Sequence, residues 1–499
     1  MAEKKKKYLL SKSTFIKGMQ CRKALYLYKN RYFLRDAISP EQRAKFIRGT
    51  NVGVYARELF PGGVDASPKT HFQMAQSVEK TAQLIEEGHT PVIYEAAFAF
   101  DDVVVALDIL YKDNGRWKGV EVKSSRAISE TYHWDAALQY YVITGGGLDL
   151  EDFSIAYMDR DFVKQGDIDP RKLFILESRI DDVREKSEEI KNLVADLKQT
   201  IALKSSPAIP IGTHCNNPYP CEFIGHCWKK VPGDSVFLLN GIPEEDKFSL
   251  YNEKGVLTVK ELPANMAANP EYKKQLDSIA QGAPVVENEK LSAFLDTGVK
   301  KPFFLETFTF GPAIPVFEDA RPYQQFAFGL GWLNMSEGKA EQAIVQPGAY
   351  PVKEIAELLL EKTQNEQTLW VWDIHKEKAL LETYKLALPE MTDAFNALSG
   401  KFRSLKQPWQ EQWIVVPSMK KKVNAEDFLV RHDITPQKLP KNLTVPQEAD
   451  ALYQKIFIAD NAEELQEGVH SLEKYMLAKM ENLEKIHQLL RVLAEEKGV

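Results

Sequence analysis

The segment VVVALDILYKDNGRWKGVEVKSS, residues 103–125, contains the pattern that decides the fold of the N-terminal half of the chain. Two β-rich runs flank an Asp-Asn-Gly sequence at 113–115, and an Asn-Gly pair in this setting is a strong signal for a tight hairpin. A further β-rich run, PVIYEAAFAF at 91–100, comes directly before them and ends at an Asp-Asp pair. The sequence therefore predicts a meander of three successive strands.

Helical patterns lie on both sides of this meander. Ser11 or Ser13 is the expected N-cap of the first helix, because a side-chain oxygen there can accept a hydrogen bond from the first turn. The predicted helices cover residues 11–30, 40–60, 71–88 and about 129–144. A strand, FSIAYM at 153–158, follows the last of them. Helices, meander, helix and strand together predict a mixed α/β domain.

The length of 499 residues predicts two or three domains, because a single core rarely exceeds about 250–300 residues. We expect a first domain at 1–230, a helical connector at 231–298 and a third region at 299–499. That last region begins with the strand pattern PFFLETFTF (302–310), contains a second strand pattern QTLWVWDI (367–374), and ends in an amphipathic helix from about Ala462 to Glu496.

The composition is that of a soluble protein, with 44% hydrophobic and 27% charged residues. No apolar run is long enough to span a bilayer, and MAEKKKKYLLSKS at 1–13 lacks the apolar core of a signal peptide. These features predict a cytoplasmic protein.

The charge is distributed unevenly along the chain. Residues 1–50 contain fourteen Lys and Arg against three acids, a balance of +11, so a net charge of −7 leaves −18 for the remainder. A basic patch beside an acidic body is typical of a local contact with phosphate groups. A solvated tail is an equally good interpretation of Lys4–Lys7.

Asp108, Glu121 and Lys123, all in the opening segment, form the pattern of a magnesium-dependent nuclease. Two carboxylates suit a hard cation, which prefers oxygen ligands and lowers the pKa of a bound water. Lys123 points to the same strand face as Glu121, where an ammonium group can stabilise charge on a phosphate. Glu95, one strand earlier, is a candidate outer metal-binding carboxylate. Glu-x-Lys is also common on exposed strands, but Asp108 interrupts an apolar run, where a carboxylate is costly without a partner or a metal.

The cysteines lie at the two ends of the predicted first domain: Cys21, Cys215, Cys221 and Cys227. In a cytoplasmic protein, clustered cysteines more often bind metal than form disulfides. The C-x5-C-x5-C spacing differs from the short spacings typical of zinc sites, and four thiolates can supply the ligands of an iron–sulfur cluster. Zinc binding and four unrelated buried cysteines are the alternatives. We interpret His214 and His226 as neighbours of the ligands or as surface residues.

These motifs resemble the RecB-type PD-(D/E)XK nucleases that carry an iron–sulfur staple, including the CRISPR-associated spacer-acquisition nuclease and the AddB nuclease domain. In that family one cysteine precedes the nuclease core, three follow it, and a [4Fe-4S] cluster joins the ends of the domain. The resemblance implies a restriction-endonuclease-like fold in which Asp108 and Glu121 bind Mg²⁺ or Mn²⁺. It implies Lys123 as the catalytic lysine and Gln139 as the glutamine of the following helix.

Two positions depart from the family pattern. The early metal-binding histidine of many relatives falls near Gly53, and the usual tyrosine partner of the glutamine is Ile143.

The chain as a whole resembles an uncharacterised bacterial family that joins this nuclease to a DEDD-type, RNase H-like exonuclease domain. The resemblance is carried by LLSKSTFIKGMQC (9–21), LFPGG (59–63), VEVKSS (120–125), HCNNPYPCEF (214–223) and PAIPVFEDARPYQQFAF (312–328).

The resemblance also implies that the C-terminal domain is degenerate. Glu306 is followed by Phe308 where the family has a second acid, and Lys479 follows Tyr475 where the family has Asp. A lysine cannot bind the cation, so this domain is expected to cleave nothing. Two acids match the middle motif, Asp373 and Glu377, and a shifted alignment would point to Glu318 or Asp319 instead.

The sequence thus predicts a metal-dependent DNA nuclease acting on single strands or ends, in repair, recombination or defence against foreign DNA. The alternative is a DNA-binding or scaffold subunit with weak or no cleavage. In either case the C-terminal domain is a candidate docking module for a helicase or a second nuclease.

Overall fold

The computed structural model describes residues 8–68, 70, 73–418 and 423–495. Lys4–Lys7, the first two residues of the helix predicted at 71–88, and Glu496 lie outside these ranges. The chain divides into two compact units. The first contains residues 1–230 and 313–323, and the second contains residues 231–312 and 324–499. Residues 231–298, for which the sequence predicts a separate connector, belong to the second unit.

The first unit is a mixed α/β structure built on one sheet. Its strands are β1 (Leu10–Ser11), β2 (Val64–Asp65), β3 (Val92–Phe100), β4 (Val103–Asp113), β5 (Arg116–Lys123), β6 (Leu150–Met158) and β7 (Phe174–Ser178). The strand order is β2-β3-β4-β5-β6-β7, with β1 paired to β4. The predicted meander is β3, β4 and β5, which pair antiparallel. Asn114 and Gly115 make the β4–β5 turn with φ of +48° and +81°, as an Asn-Gly hairpin requires.

Helices cover both faces of this sheet. They are α1 (Lys12–Gln20), α2 (Arg22–Asn30), α3 (Pro40–Ala56), α4 (Met74–Glu87), α5 (Glu130–Gly145), α6 (Pro170–Leu173), α7 (Ile180–Glu185), α8 (Ser187–Ala202) and α9 (Ile224–Cys227). One core cluster joins α1, α5 and α8 to the strands, through residues such as Phe15, Leu138 and Leu197. A second cluster places Val52 and Ala56 of α3 against Ile109 and Val120.

The helix predicted at 11–30 is interrupted. α1 ends at Gln20 and α2 begins at Arg22, because Cys21 between them has extended backbone, with φ −160° and ψ 117°. Ser11 is the N-cap of α1, and its backbone N–H donates to the Thr14 hydroxyl at 2.8 Å. The break turns the chain at the cysteine.

The second unit is also mixed α/β. Its strands are β8 (Val285–Val286), β9 (Phe303–Phe310), β10 (Phe326–Asn334), β11 (Lys339–Ile344), β12 (Leu369–Val371), β13 (Phe402–Ser404) and β14 (Ile414–Val415). The main sheet has the order β11-β10-β9-β12-β13, and β14 pairs with β8 separately. β9, β10 and β11 are antiparallel, whereas β12 runs parallel to β9 and β13.

The helices of the second unit are α10 (Glu244–Asn252), α11 (Ala264–Ala267), α12 (Pro270–Gln281), α13 (Asn288–Leu295), α14 (Val352–Thr363), α15 (Ile374–Ala387), α16 (Thr392–Lys401), α17 (Gln407–Gln410), α18 (Ala425–Arg431), α19 (Pro446–Phe457) and α20 (Ala462–Glu495). The long final helix begins at the predicted residue. Among the residues that the structure describes, no helix combines the length and apolarity needed to cross a membrane.

Candidate active site and cysteine cavity

The candidate active site lies where β4 and β5 diverge. β5 pairs with β4 only from Arg116 to Val120, whose partners are Asp113 and Ile109. Beyond that point β5 continues beside β6 as far as Lys123. The other end of β4 is taken by β1, through Val103 and Val104. We call the gap between β4 and β5, bounded by Asp108 and Glu121, the strand fork.

The strand fork brings three carboxylates onto neighbouring strands. Asp108 and Glu121 are the first facing residues after the last β4–β5 pair, and the Asp108 carboxylate accepts a hydrogen bond from the Val122 N–H at 2.6 Å. Glu95 lies on β3, opposite Asp108 of β4. Its backbone interrupts the pairing of the two strands and has a φ of +53°. Positive φ at a residue other than glycine is a strained conformation that is often found at functional sites. The structure thus places the three acids on neighbouring strands.

Two lysines contact the Glu121 carboxylate. Lys123 donates to Glu121 Oε1 at 2.8 Å and to Asp135 Oδ2 at 2.5 Å. Lys12, the first residue of α1, donates to Glu121 Oε1 at 3.0 Å and to Oε2 at 3.1 Å. The side chain of Glu121 is only 3% exposed. A buried carboxylate is costly unless it is paired, and two ammonium groups provide that pairing.

Sequence reasoning missed Lys12 and Asp135. Asp135 lies four residues before Gln139 on α5, so the two share one helix face. That spacing could have identified Asp135. Lys12 lies 109 residues from Glu121, and nothing in its local pattern distinguishes it from the other lysines of the basic N-terminal region.

The charges of the strand fork shift the acid pKa values in opposite directions. Burial raises the pKa of Asp108 well above its usual range, and the nearby Glu121 charge adds to this rise. Burial would also raise the pKa of Glu121, but the positive charges of Lys12 and Lys123 outweigh it and hold that pKa below its usual range. Burial, with Glu121 adding to it, raises the pKa of Glu95. Of these three acids, Glu121 is thus the one whose ionised form its surroundings favour.

Gln139 has an unusual environment. It is fully buried on α5, and its amide lies against Glu121 and helps to keep that acid ionised. Yet neither its amide nitrogen nor its amide oxygen completes a hydrogen bond of normal geometry within the described part of the chain, and Asp135 Oδ1 is likewise without a partner there. Buried polar atoms of this kind usually mark an unfilled ligand position or a functional site.

The carboxylate oxygens suit a hard divalent cation in chemical type. In the described ranges, no three His, Cys, Asp or Glu side chains approach closely enough to hold one metal ion. Asp108 and Glu121 are the two carboxylates on either side of the strand fork, and Glu95 lies opposite Asp108 on β3.

The four cysteines line one cavity. Cys21 contributes from the break between α1 and α2, and Cys215, Cys221 and Cys227 contribute from the segment that includes α9. The cavity contains about 340 Å³ of empty space, part of it continuous with solvent. The four thiols are not joined by disulfides. Burial raises the pKa of Cys221 to about 11 and also raises that of Cys227.

The cysteine segment is fastened to the N-terminal helices. The Gln20 amide donates to the carbonyls of His214 at 2.7 Å and of Tyr219 at 2.6 Å. Glu222 pairs with Lys17 at 2.6 Å and with Arg35 at 2.5 Å. His214 lines the cavity, whereas His226 is exposed. Sequence positions about two hundred residues apart therefore form a single structural feature.

Tyr219 of the cysteine segment lies close enough to Lys123 for the lysine charge to affect it. Burial and the nearby Tyr132 raise the pKa of Tyr219, while the ammonium group of Lys123 opposes this rise. Lys123 itself lies over the Tyr132 ring, 5.0 Å from its centroid.

Residues 313–323 belong to the first unit and contact the end of β5. Ala313, Ile314 and Tyr323 pack into the cluster that contains α3. The Tyr323 hydroxyl donates to the Ser124 carbonyl, directly after Lys123, and Lys164 pairs with Glu318. Glu318, which the sequence offers as an alternative acid of the C-terminal domain, thus forms an ion pair with a lysine of the first unit.

In the second unit, lysines occupy the neighbourhood of the predicted acids. Lys376 pairs with Glu306 at 3.3 Å and with Glu377 at 3.1 Å. Lys479 donates to both oxygens of Glu426, at 3.0 and 3.1 Å. The ammonium groups of Lys376 and Lys479 therefore compensate Glu306, Glu377 and Glu426.

The other predicted residues of that unit have structural contacts. Asp373 is the N-cap of α15 and pairs with Lys406 at 3.2 Å. Phe308, which the resemblance predicts to stand in place of an acid, packs edge-on against the Tyr475 ring, with 5.8 Å between the ring centroids.

A family model described as a domain of unknown function, DUF2779, matches residues 303–423, which is less than half of the chain. No curated protein shows a significant match. A solved structure titled "Crystal structure of SSO0001" matches 46% of this chain and 90% of its own, with 13% identity and a TM-score of 0.22. A TM-score this low does not establish a shared fold.

Proposed function

We propose that the first unit is a metal-dependent DNA nuclease of the PD-(D/E)XK type. The observation that carries this proposal is the strand fork, where Asp108 and Glu121 lie on neighbouring strands, Lys123 contacts Glu121, and the buried amide of Gln139 lies against Glu121. Asp108 and Glu121 are the residues that would bind Mg²⁺ or Mn²⁺. A bound divalent cation would polarise the phosphate and lower the pKa of a water molecule.

The protein residues have separate roles in this proposal. Lys123 is fixed by Glu121 and Asp135, so its ammonium group is positioned to stabilise negative charge that develops on the phosphate. Gln139 is a buried amide beside Glu121, and an amide both donates and accepts, which suits the orientation of a water molecule. Glu95 is an outer carboxylate that faces Asp108.

The basic N-terminal region supports DNA as the substrate. Tyr32 and Phe33 are 51% and 76% exposed, and Phe46 is 62% exposed, in a stretch that also contains Arg31 and Lys45. Exposed aromatic rings among cations suit single-stranded nucleic acid, because bases stack on the rings while the cations contact phosphates.

The nuclease proposal is tested with end-labelled single- and double-stranded DNA in the presence of Mg²⁺ or Mn²⁺. Lys123→Ala should lower the cleavage rate by about 100-fold or more, the usual cost of removing one charge-stabilising donor, and should leave DNA binding largely intact. Lys118→Ala is the matched control, because Lys118 lies on the same strand but pairs with Asp113 away from the strand fork. Equal cleavage by the Lys123 variant and the wild type would contradict the assignment.

We further propose that the cysteine cavity binds a [4Fe-4S] cluster. Such a cluster distributes its ligands around a cube, so the four thiolates need only surround a shared cavity, as they do here. The cluster would join both ends of the first unit, since Cys21 and the other three cysteines come from opposite ends of residues 1–230.

Protein purified without oxygen should be brown and contain iron and sulfide in equal amounts. Cys21→Ala should lose the iron and unfold the first unit at lower temperature, because metal binding contributes directly to folding free energy. Stoichiometric zinc without iron would refute the cluster.

A scaffold role is the second candidate, and it concerns the second unit. Its carboxylates are compensated by Lys376 and Lys479, which leaves little negative charge for a pair of divalent cations. An antiparallel three-strand meander joined to parallel strands is compatible with a degenerate RNase H-like layer. We propose that this unit docks a helicase or nuclease partner and cleaves nothing itself.

A further inference from the structure

We propose that Lys12 is a built-in competitor for the catalytic metal, which occupies Glu121 in the metal-free protein and leaves it when a divalent cation binds. This inference rests on the proposed nuclease function, because it concerns the same carboxylate. It assigns a role to a residue that the catalytic pattern of Asp108, Glu121 and Lys123 does not include.

The position of Lys12 follows from the way the chain enters the strand fork. β1 pairs with β4 at Val103 and Val104, and Lys12 is the residue directly after β1. Its ammonium group reaches both oxygens of Glu121, at 3.0 and 3.1 Å. A single cation that contacts both oxygens of a carboxylate is in the place that a metal ion would take.

The second lysine does not compete in the same way. Lys123 contacts only Oε1 of Glu121 and is also anchored by Asp135, and its side chain is 15% exposed. Lys12 has Glu121 as its closest acidic partner, and its side chain is 28% exposed. It lies at the first position of α1, so the side chain can move outward without breaking the helix. When a cation approaches Glu121, Lys12 is therefore the group that leaves.

Electrostatics require this exchange. A divalent cation bound to Glu121 would lie within a few ångströms of the Lys12 ammonium group, and like charges at that separation repel strongly where water is excluded. In the absence of metal the same ammonium group compensates a carboxylate that is 3% exposed and would otherwise be costly to keep ionised. Lys12 thus stabilises the metal-free protein at the expense of metal affinity.

The inference is tested by measuring Mn²⁺ binding to the full-length protein by titration calorimetry and by electron paramagnetic resonance of free Mn²⁺. Lys12→Met should bind Mn²⁺ about tenfold more tightly than the wild type, which corresponds to about 1.4 kcal/mol. Lys12→Arg should bind more weakly, because a guanidinium group makes a more stable bidentate pair with a carboxylate. Lys17→Met is the matched control, since Lys17 lies on the same helix and pairs with Glu222 instead, and it should leave Mn²⁺ affinity unchanged.

The outcomes separate this inference from the nuclease proposal. If Asp108→Asn abolishes Mn²⁺ binding but Lys12→Met does not tighten it, the competitor role is wrong and the nuclease site stands. If neither the wild type nor Lys12→Met binds Mn²⁺, both are wrong. A purely structural ion pair would lower the melting temperature of Lys12→Met without changing Mn²⁺ affinity in either direction. Should Lys12→Met fail to fold, the weaker binding expected of Lys12→Arg still decides the question.

Discussion

At the scale of single residues, both units contain ionisable groups whose environment fixes their charge. In the first unit Glu121 is kept ionised by Lys12 and Lys123. In the second unit the neutral form is favoured at His487, which is 3% exposed. Burial, assisted by Arg491, lowers its pKa to about 4. The centroid of its ring lies 5.5 Å from that of Phe304 and 5.0 Å from that of Trp370. His487 therefore packs in the core as an aromatic side chain would.

This environment predicts an acid-sensitive second unit. Because the pKa of His487 is lowered in the folded state, its neutral form is favoured there, and stability is complete above the unfolded pKa of about 6.5. As pH falls from 6.5 towards 4, His487 is protonated in the unfolded chain but stays neutral in the folded chain. The free energy of unfolding therefore falls by about 3 kcal/mol because of this one group. His487→Phe should flatten the decline of the unfolding midpoint over this range.

The measurement is thermal or urea unfolding between pH 4 and pH 7.5. His470→Phe is the control, because His470 lies on the same helix with its side chain 61% exposed. A pH profile for His487→Phe that is parallel to both the wild type and this control would show that His487 does not set the acid sensitivity.

At the scale of elements, local patterns predicted the strands and helices well. The β3–β5 meander, its Asn-Gly turn, α5 and the start of α20 follow from periodicity and turn chemistry that neighbouring residues determine. The break at Cys21 could not be predicted, because the helical pattern runs through it without interruption and the break depends on Cys21 joining a distant segment. The same holds for the pair of Lys12 and Glu121, which only the β1–β4 pairing brings together.

The element α1 therefore joins two features that the sequence shows separately. Lys12 at its start contacts the strand fork, while Gln20 at its end holds the carbonyls of the cysteine segment. A helix of nine residues spans about 14 Å, so the candidate active site and the cysteine cavity are connected by one short rigid element.

At the scale of the whole molecule, the first unit is not a continuous piece of the chain. Residues 313–323 leave the second half of the sequence and pack with residues 1–230. Sequence patterns placed them in the C-terminal domain, because the apolar residues Ala313 and Ile314 give no local sign of which core they join. Their contacts with α3 and with Ser124 are long-range, and only the folded structure shows them.

Residues 1–230 expressed alone should therefore be less stable than the first unit within the full chain. The isolated fragment loses Ala313, Ile314 and Tyr323 from the α3 cluster and the pairing of Glu318 with Lys164, and the expected loss is about 2–5 kcal/mol, as for losing several buried or partly buried apolar side chains together. The measurement is the urea midpoint of the first unit in each protein.

Tyr323→Phe in the full chain is the graded comparison: it removes only the hydroxyl that donates to Ser124 and should lower the free energy of unfolding by about 1 kcal/mol. If the first unit cleaves DNA as proposed, cleavage should fall with it, because Ser124 directly follows Lys123, the proposed catalytic lysine. If the fragment unfolds at the same urea concentration as the first unit of the full chain, residues 313–323 do not stabilise the first unit.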